Sequence, residues 1–301
     1  MSIASLIDIV IPCYNVGHVV GKCIDSVLNQ NYIGKIKIYL IEDGSVDNTF
    51  KILDGYSNHH DISIICHEKN QGLAAARNSG IIAGYGEIII FLDSDMTVKP
   101  DWINNLISPL LDESIVGVVG DQKLPNQLNE NSLDRYLYSK FRGARQFDQS
   151  EHLHFRYFLF SNTCIRRSVL NEVGLFDKNF KTYGGEDLDL ALRVWEQYST
   201  SLRFNSEAVS YHWGQKIIND FYNDMELYGG GNFIYLMDKH PAYIKEFGGD
   251  LAFSFKGKLI FNHLVKLIIF YFSKIISHPI LIRYLVIYHT IKGAQTKSAI
   301  N

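Results

Sequence analysis

Five short runs rich in Ile and Val, separated by segments of helical periodicity, constrain the fold of this chain more than anything else in it. The runs cover 6–12, 36–41, 62–66, 87–92 and 115–119. Each is apolar on both faces, as strands buried in a mostly parallel sheet must be. Between them, 19–28 places Val20, Cys23, Ile24, Val27 and Leu28 on one helical face, and 73–83 is Ala-rich. Pro100 marks the first turn of a further helix carrying Trp102, Ile103 and Leu106. Hydrophobic residues form 47% of the chain and charged residues 20%, enough apolar content for a core. Such alternation predicts an α/β fold, a mostly parallel sheet flanked by helices, with ligands at the carboxyl ends of its strands. From 120 to about 155 the pattern turns polar and aromatic, predicting a loop and a short helix. Strand, short helix, helix and strand are expected at 158–166, 167–173, 187–196 and 208–212, then a helix over 217–237 broken near Gly229.

Three strands run into polar residues: Ile11-Pro12-Cys13-Tyr14-Asn15, Glu42-Asp43-Gly44-Ser45 and Asp93-Ser94-Asp95. Carboxylates gathered at neighbouring strand ends repel one another unless a cation or a donor-rich ligand enters. Two of them at i and i+2 after a buried strand can hold one divalent ion against phosphate oxygens. A solvated Asp-Ser-Asp turn is the plain alternative, and Asp43-Gly44-Ser45 suits a turn and helix cap equally well. Asn70-Gln71-Gly72 opens a helix near the same edge, where Arg77 can neutralise an anionic ligand or pair with a carboxylate. Tyr183-Gly184-Gly185-Glu186-Asp187 opens another helix. Capping explains one acid there but not the paired glycines, whose open backbone suits a ligand. Tyr211-His212-Trp213 ends a strand with an imidazole, either structural or a metal ligand.

Together these stretches resemble family 2 glycosyltransferases, inverting enzymes of the GT-A fold. The resemblance spans about 6–214 and rests on five motifs in order: Val10 to Asn15, Glu42 to Thr49, Asn70 to Asn78, Phe91 to Asp95 and Gly185 to Leu190. Glu42 departs from it, since the family usually has Asp there. The resemblance implies that Pro12, Tyr14, Asn15 and Asp43 hold the nucleobase end of a nucleotide-sugar donor. Asn70, Arg77, Asp93 and Ser94 would line the rest of the nucleotide pocket. Asp95, with Asp93 and His212, would bind Mn²⁺ or Mg²⁺ at the diphosphate. Gly185, Glu186, Trp213 and Asn162 would face the acceptor, a glycan or lipid-linked hydroxyl, and Asp187 would be the general base of a single displacement. UDP is the expected nucleotide by family prevalence. A non-catalytic nucleotide-sugar-binding module on the same scaffold is the competing reading. A nucleotidylyltransferase would need a Gly-rich basic loop at 14–21, and neither a phosphate loop nor a dinucleotide fingerprint is present.

Charge divides the chain further. Lys and Arg number 29 against 32 Asp and Glu, a net of −3. Seven of those basic residues lie from Lys256 onward, where there is no acid. The acidic remainder argues against nucleic-acid binding. In the tail, Lys258, Asn262, Lys266, Ser273 and Ser277 share a face of an otherwise apolar helix, and Pro279 ends it. The expected organisation is a GT-A domain over 1–250, its donor half ending near 120, and a basic amphipathic helical tail over 251–301. No uncharged stretch reaches the roughly 18–20 residues of a spanning helix. The tail is therefore expected on an anionic membrane surface through 256–292, with packing on the domain or homo-oligomerisation as alternatives. Four scattered cysteines read as reduced thiols, and the N-terminus reads as a strand, so a cytoplasmic, peripheral location is expected.

Overall fold

The computed structural model describes residues 6–276 and 278–298; Ser277, named above with the polar face of the tail, lies outside them. The chain runs β1 (Ile7–Cys13), α1 (Val20–Leu28), β2 (Ile36–Glu42), α2 (Thr49–Asp54), β3 (Ile62–Cys66), α3 (Leu73–Ala83), β4 (Ile88–Leu92), β5 (Met96–Val98) and α4 (Trp102–Ile107). It continues through β6 (Gly117–Lys123), α5 (Ser132–Leu137), β7 (Asn162–Arg166), α6 (Arg167–Val173), α7 (Glu186–Tyr198) and β8 (Leu202–His212). Seven helices follow: α8 (Ile218–Gly230), α9 (Asn232–Lys239), α10 (Ile244–Phe247), α11 (Gly249–Phe253), α12 (Phe255–Ile260), α13 (His263–Ile275) and α14 (Pro279–Ser298). Two compact units result, one of 6–128, 140–178 and 186–214, the other of 129–139, 179–185 and 215–298.

The first unit holds a single eight-stranded sheet in the order β3-β2-β1-β4-β7-β6-β8-β5. Strands β3, β2, β1 and β4 run parallel, as their two-sided apolar runs require, and β6 pairs parallel with β8. The pairs β4–β7, β6–β7 and β5–β8 are antiparallel, so the sheet is mostly but not wholly parallel. On one face, Ile9, Ile11 and Ile90 pack with Val20 and Ile24 of α1 and Trp102 and Ile103 of α4. Asp8 sits fully buried within β1 because Arg167 Nη2 and the Gly86 N–H both reach its Oδ2 at 2.6 Å. Burial still holds its carboxyl above the usual range.

Register sets where the polar ends emerge. Cys13 lies opposite Glu42, so Tyr14 and Asp43 leave the sheet side by side, and Leu92 lies opposite Asn162 just before Asp93. Differences from the sequence expectation fall at short or polar elements. β5 has three residues, too few to show periodicity, and exists by pairing with β8. β8 starts at Leu202 because Arg203, Ser206 and Glu207 interrupt its apolar pattern. β7 starts at Asn162, the preceding aromatics forming a short turn at Phe155–Tyr157.

The second unit is helical. α8 and α14 cross with almost no side chain between them. A Cβ on Gly229 would lie 1.9 Å from the Thr290 carbonyl oxygen, and one on Gly293 would lie 2.1 Å from that of Glu226. α13, by contrast, has no buried residue. No helix among the described residues is long and apolar enough to cross a membrane.

Candidate active site

The β1 and β2 ends are tied together by their own side chains. Asn15 takes φ 52°, a left-handed conformation that asparagine tolerates better than most residues. Its N–H donates to Ser45 Oγ and its Oδ1 accepts from the Val46 N–H. Gly44, at φ 69°, passes so close to the next loop that a Cβ would lie 2.5 Å from the Asn70 nitrogen. Glu42 accepts from the Ser45 N–H at 2.6 Å and the Gly44 N–H at 3.2 Å. Its extra methylene, relative to Asp, is used to fasten the turn.

Asp43 is buried and accepts three times: Oδ1 from the Gln71 N–H and His67 Nδ1, the latter at 2.6 Å, and Oδ2 from the Gly72 N–H. A carboxylate has about four acceptor positions, so one is left. His67 was not foreseen as a site residue; its Nε2 lies 2.8 Å from Ser79 Oγ, so the ring links Asp43 to α3. An imidazole two residues from an exposed turn gives no sequence signal. Around this point Pro12 and Ser94 are buried, while Tyr14 and Asn70 are exposed, the Tyr14 ring by 45%.

Arg77 organises the other half of the site. It is 1% exposed on α3, and its Nη1 lies 2.5 Å from Asp187 Oδ1 and 3.6 Å from Glu186 Oε1. Its Nη2 reaches Asp93 Oδ1 at 3.2 Å, and the guanidinium sits 5.3 Å from the Phe176 ring. Of the two roles open to Arg77, pairing with cleft carboxylates is the one present. Burial works to lower its pKa, and Asp187, Asp93 and Glu186 together overturn that and raise it. Burial pushes Asp93 up to about 6, with Asp95 and Asp187 adding to the rise and Arg77 opposing it. Burial likewise raises Glu186, helped by the charge of Asp187. Asp187 Oδ2 receives the Phe160 N–H at 3.3 Å, so both of its oxygens are oriented.

Asp95 and His212 meet because β5 and β8 pair antiparallel, with Met96 opposite His212. Nε2 of the histidine lies 3.0 Å from Asp95 Oδ2. Carboxylate oxygen with one imidazole nitrogen is a donor set suited to Mn²⁺, and Asp93, whose carboxyl is held high mainly by burial, stands beside it. The residues fit a divalent ion in chemistry. Asp93, Asp95 and His212 do not converge as a ready three-ligand group, since Asp93 turns one oxygen to Arg77. Among the described residues, only His59, His60 and Asp61 bring three metal-capable groups within 4.8 Å, in the exposed turn before β3. Trp213 is half-buried, its Nε1 donating to Thr97 Oγ1 and Lys22 Nζ lying 4.3 Å from its ring.

Asn162 is a correction. It is fully buried, its Oδ1 accepting from Trp102 Nε1 and its Nδ2 donating to the carbonyls of Asp121 and Ala208. Fully buried, with both amide N–H groups committed inside the sheet, it does not reach an acceptor. Gly184 and Gly185 take φ 70° and 99°, and Asn232 Nδ2 holds the Gly184 carbonyl at 2.6 Å. The glycines are thus required by the turn itself.

A model of the family described as glycosyl transferase family 2 matches residues 8–174. Hyaluronan synthase of Pasteurella multocida is 24% identical over 237 residues, covering 68% of this chain and 24% of that protein. Glycosyltransferase GlyG of Streptococcus pneumoniae is 35% identical over 119 residues, 39% of either chain. The glucosyl-dolichyl phosphate glucuronosyltransferase of Haloferax volcanii is 24% identical over 197 residues, 62% of either. The chain thus spans from about a quarter to under two thirds of the length of these relatives. In structure it is similar to a mannosyltransferase of Pyrobaculum calidifontis in complex with GDP-Man and Mn²⁺, with TM-score 0.68 at 14% identity over 98% of this chain and 87% of that one. TarS 1–349 of S. aureus in complex with UDP-GlcNAc gives TM-score 0.54 at 15% identity over 98% and 91%. At such identities the structural likeness is one of fold.

Proposed function

Because the chain belongs to glycosyl transferase family 2, and its fold is of GT-A type, we propose that it is an inverting enzyme transferring a sugar from a nucleoside-diphosphate sugar to a hydroxyl of a glycan or lipid-linked acceptor. The observation that carries this reading is the convergence on Arg77 of Asp93, from a strand end, with Glu186 and Asp187, from the start of α7. A donor-side carboxylate and a candidate base are then held in one cluster, which supports a single displacement between two bound substrates.

In this mechanism Asp187 is the general base. Arg77 holds Oδ1, and Oδ2, with only the long bond from Phe160, takes the proton of the acceptor hydroxyl as its oxygen attacks the anomeric carbon. One base suffices, and no covalent glycosyl-enzyme forms. Tyr14 offers an exposed ring to the nucleobase, Asp43 offers its remaining acceptor position to a ring N–H, and Pro12, Asn15, Asn70 and Ser94 frame the nucleotide. Asp95 and His212, with Asp93, are the residues that would hold Mn²⁺ or Mg²⁺; when bound, the ion supplies charge stabilisation for the leaving diphosphate. Glu186 and Trp213 face the acceptor.

The test is Asp187→Asn. With UDP-sugars, GDP-mannose and dTDP-sugars each tried with Mn²⁺, the variant should keep the donor's thermal stabilisation and lose about 10²- to 10⁴-fold in nucleoside diphosphate release. Undiminished turnover would overturn the base assignment.

The tail is proposed to lie on an anionic membrane surface. Its support is the exposed apolar side chains of α12 and α13, set among Lys256, Lys258, Lys266 and Lys274. Co-sedimentation with phosphatidylglycerol-containing vesicles should weaken when Lys258, Lys266 and Lys274 are changed to Gln.

A further inference from the structure

Within the helical unit, α5, α8, α13 and α14 line an open pocket of about 340 Å³. Its apolar wall is Ile218, Tyr222, Phe270 and Ile282, continuous with the unit's own core. Its polar wall is Ser132, Asn219, Ser273 and Lys274. Two features show what such a space would receive. Lys274 Nζ lies 4.5 Å and Lys266 Nζ 5.1 Å from the centroid of the same Phe270 ring, and the structure describes no carboxylate paired with either ammonium. Outside the pocket, α13 exposes Leu264, Ile268, Tyr271, Phe272 and Ile275.

We propose that the pocket takes one anionic membrane lipid, its phosphate against Lys274 and the first carbons of a chain against Ile218, Phe270 and Ile282. The charge pattern favours this occupant. A tail with seven basic residues and no acid attracts a phosphate. A volume near the lower end of ligand pockets suits a headgroup and a few methylenes rather than a whole lipid. The ligand class rests on the membrane reading above, and its site goes beyond that reading, which requires only a surface.

The experiment uses the full chain and dihexanoyl phosphatidylglycerol below its micellar concentration, titrated by calorimetry. Saturable one-to-one binding is expected. Ser273→Trp, which fills the pocket without altering charge, should abolish it, and Lys274→Gln, an exposed change, should weaken it about fivefold. Dihexanoyl phosphatidylcholine should bind several-fold more weakly. Absent or non-saturable binding, or equal binding by the wild type and Ser273→Trp, overturns the proposal. So does inorganic phosphate that competes as well as the lipid, or a change of oligomeric state on Ser273→Trp. Vesicle co-sedimentation is read separately. Binding to vesicles without binding to the monomeric lipid sinks the pocket alone, and the reverse sinks the surface reading alone.

Discussion

Arg77 and Lys274 are both cations beside a phenylalanine ring, and they differ in nearly everything else. The guanidinium is 1% exposed, 5.3 Å from Phe176, and answered by three carboxylates. The ammonium is exposed, 4.5 Å from Phe270, and no acid is described as its partner. Removing a charge from water costs several kcal/mol, so a buried cation persists only where the fold brings counter-charges to it. An exposed cation carries no such requirement, and its charge is available to something outside the chain. Arg77 therefore serves the internal geometry of the sheet unit, while Lys274 presents its charge outward from the helical one.

That contrast can be broken by experiment. The largest effect is expected for Arg77→Met, which leaves Asp93, Glu186 and Asp187 facing one another without a counter-ion; chemical denaturation should show a loss of about 3–5 kcal/mol. Ile90→Ala, at a fully buried position of β4, should cost about 2–5 kcal/mol by the same measurement. A smaller effect should follow pH in the helical unit. There His289 of α14 stacks on Tyr222, donates to Glu226 of α8, and stands near Lys266 of α13 and Lys292. Burial lowers its pKa below the usual 6.5, against the pull of Glu226. The unfolded chain then takes up the proton more readily than the folded one. The stability His289 contributes is lost as pH drops through about 6.5, so thermal melts should show the difference between His289→Gln and wild type shifting in the variant's favour between pH 7.5 and pH 5.5. Smallest of all, Ile268→Ala on α13 should change stability by less than about 0.5 kcal/mol. A cost near that of Ile90 would mean that the exposed face is part of a core after all.

Legibility in the sequence followed the same line between local and distant. β1 to β4, α1, α3 and α6 are visible as runs because each carries its burial pattern in consecutive residues. β5 is invisible, since three residues become a strand only when Tyr211 and its neighbours arrive from over a hundred positions away. Motifs name the site residues, yet for Arg77 they leave open an anionic ligand or an unspecified cleft carboxylate, and only the fold brings it to Asp187 across 110 positions. Asn162 shows the reverse failure: the resemblance implies a place facing the acceptor, and only the packed sheet reveals that Trp102, Asp121 and Ala208 have claimed its amide. His67 and the tie made by Glu42 depend on loop contacts that no periodicity encodes.

The bare crossing of α8 and α14 has a mechanical consequence. Where Gly229 and Gly293 let the two backbones touch, neither helix can advance along its axis without driving a β-carbon into the other's carbonyl row. The last helix is thus keyed like a bolt in a slot. A pull on its end would be transmitted whole to α8 rather than dissipated by slippage.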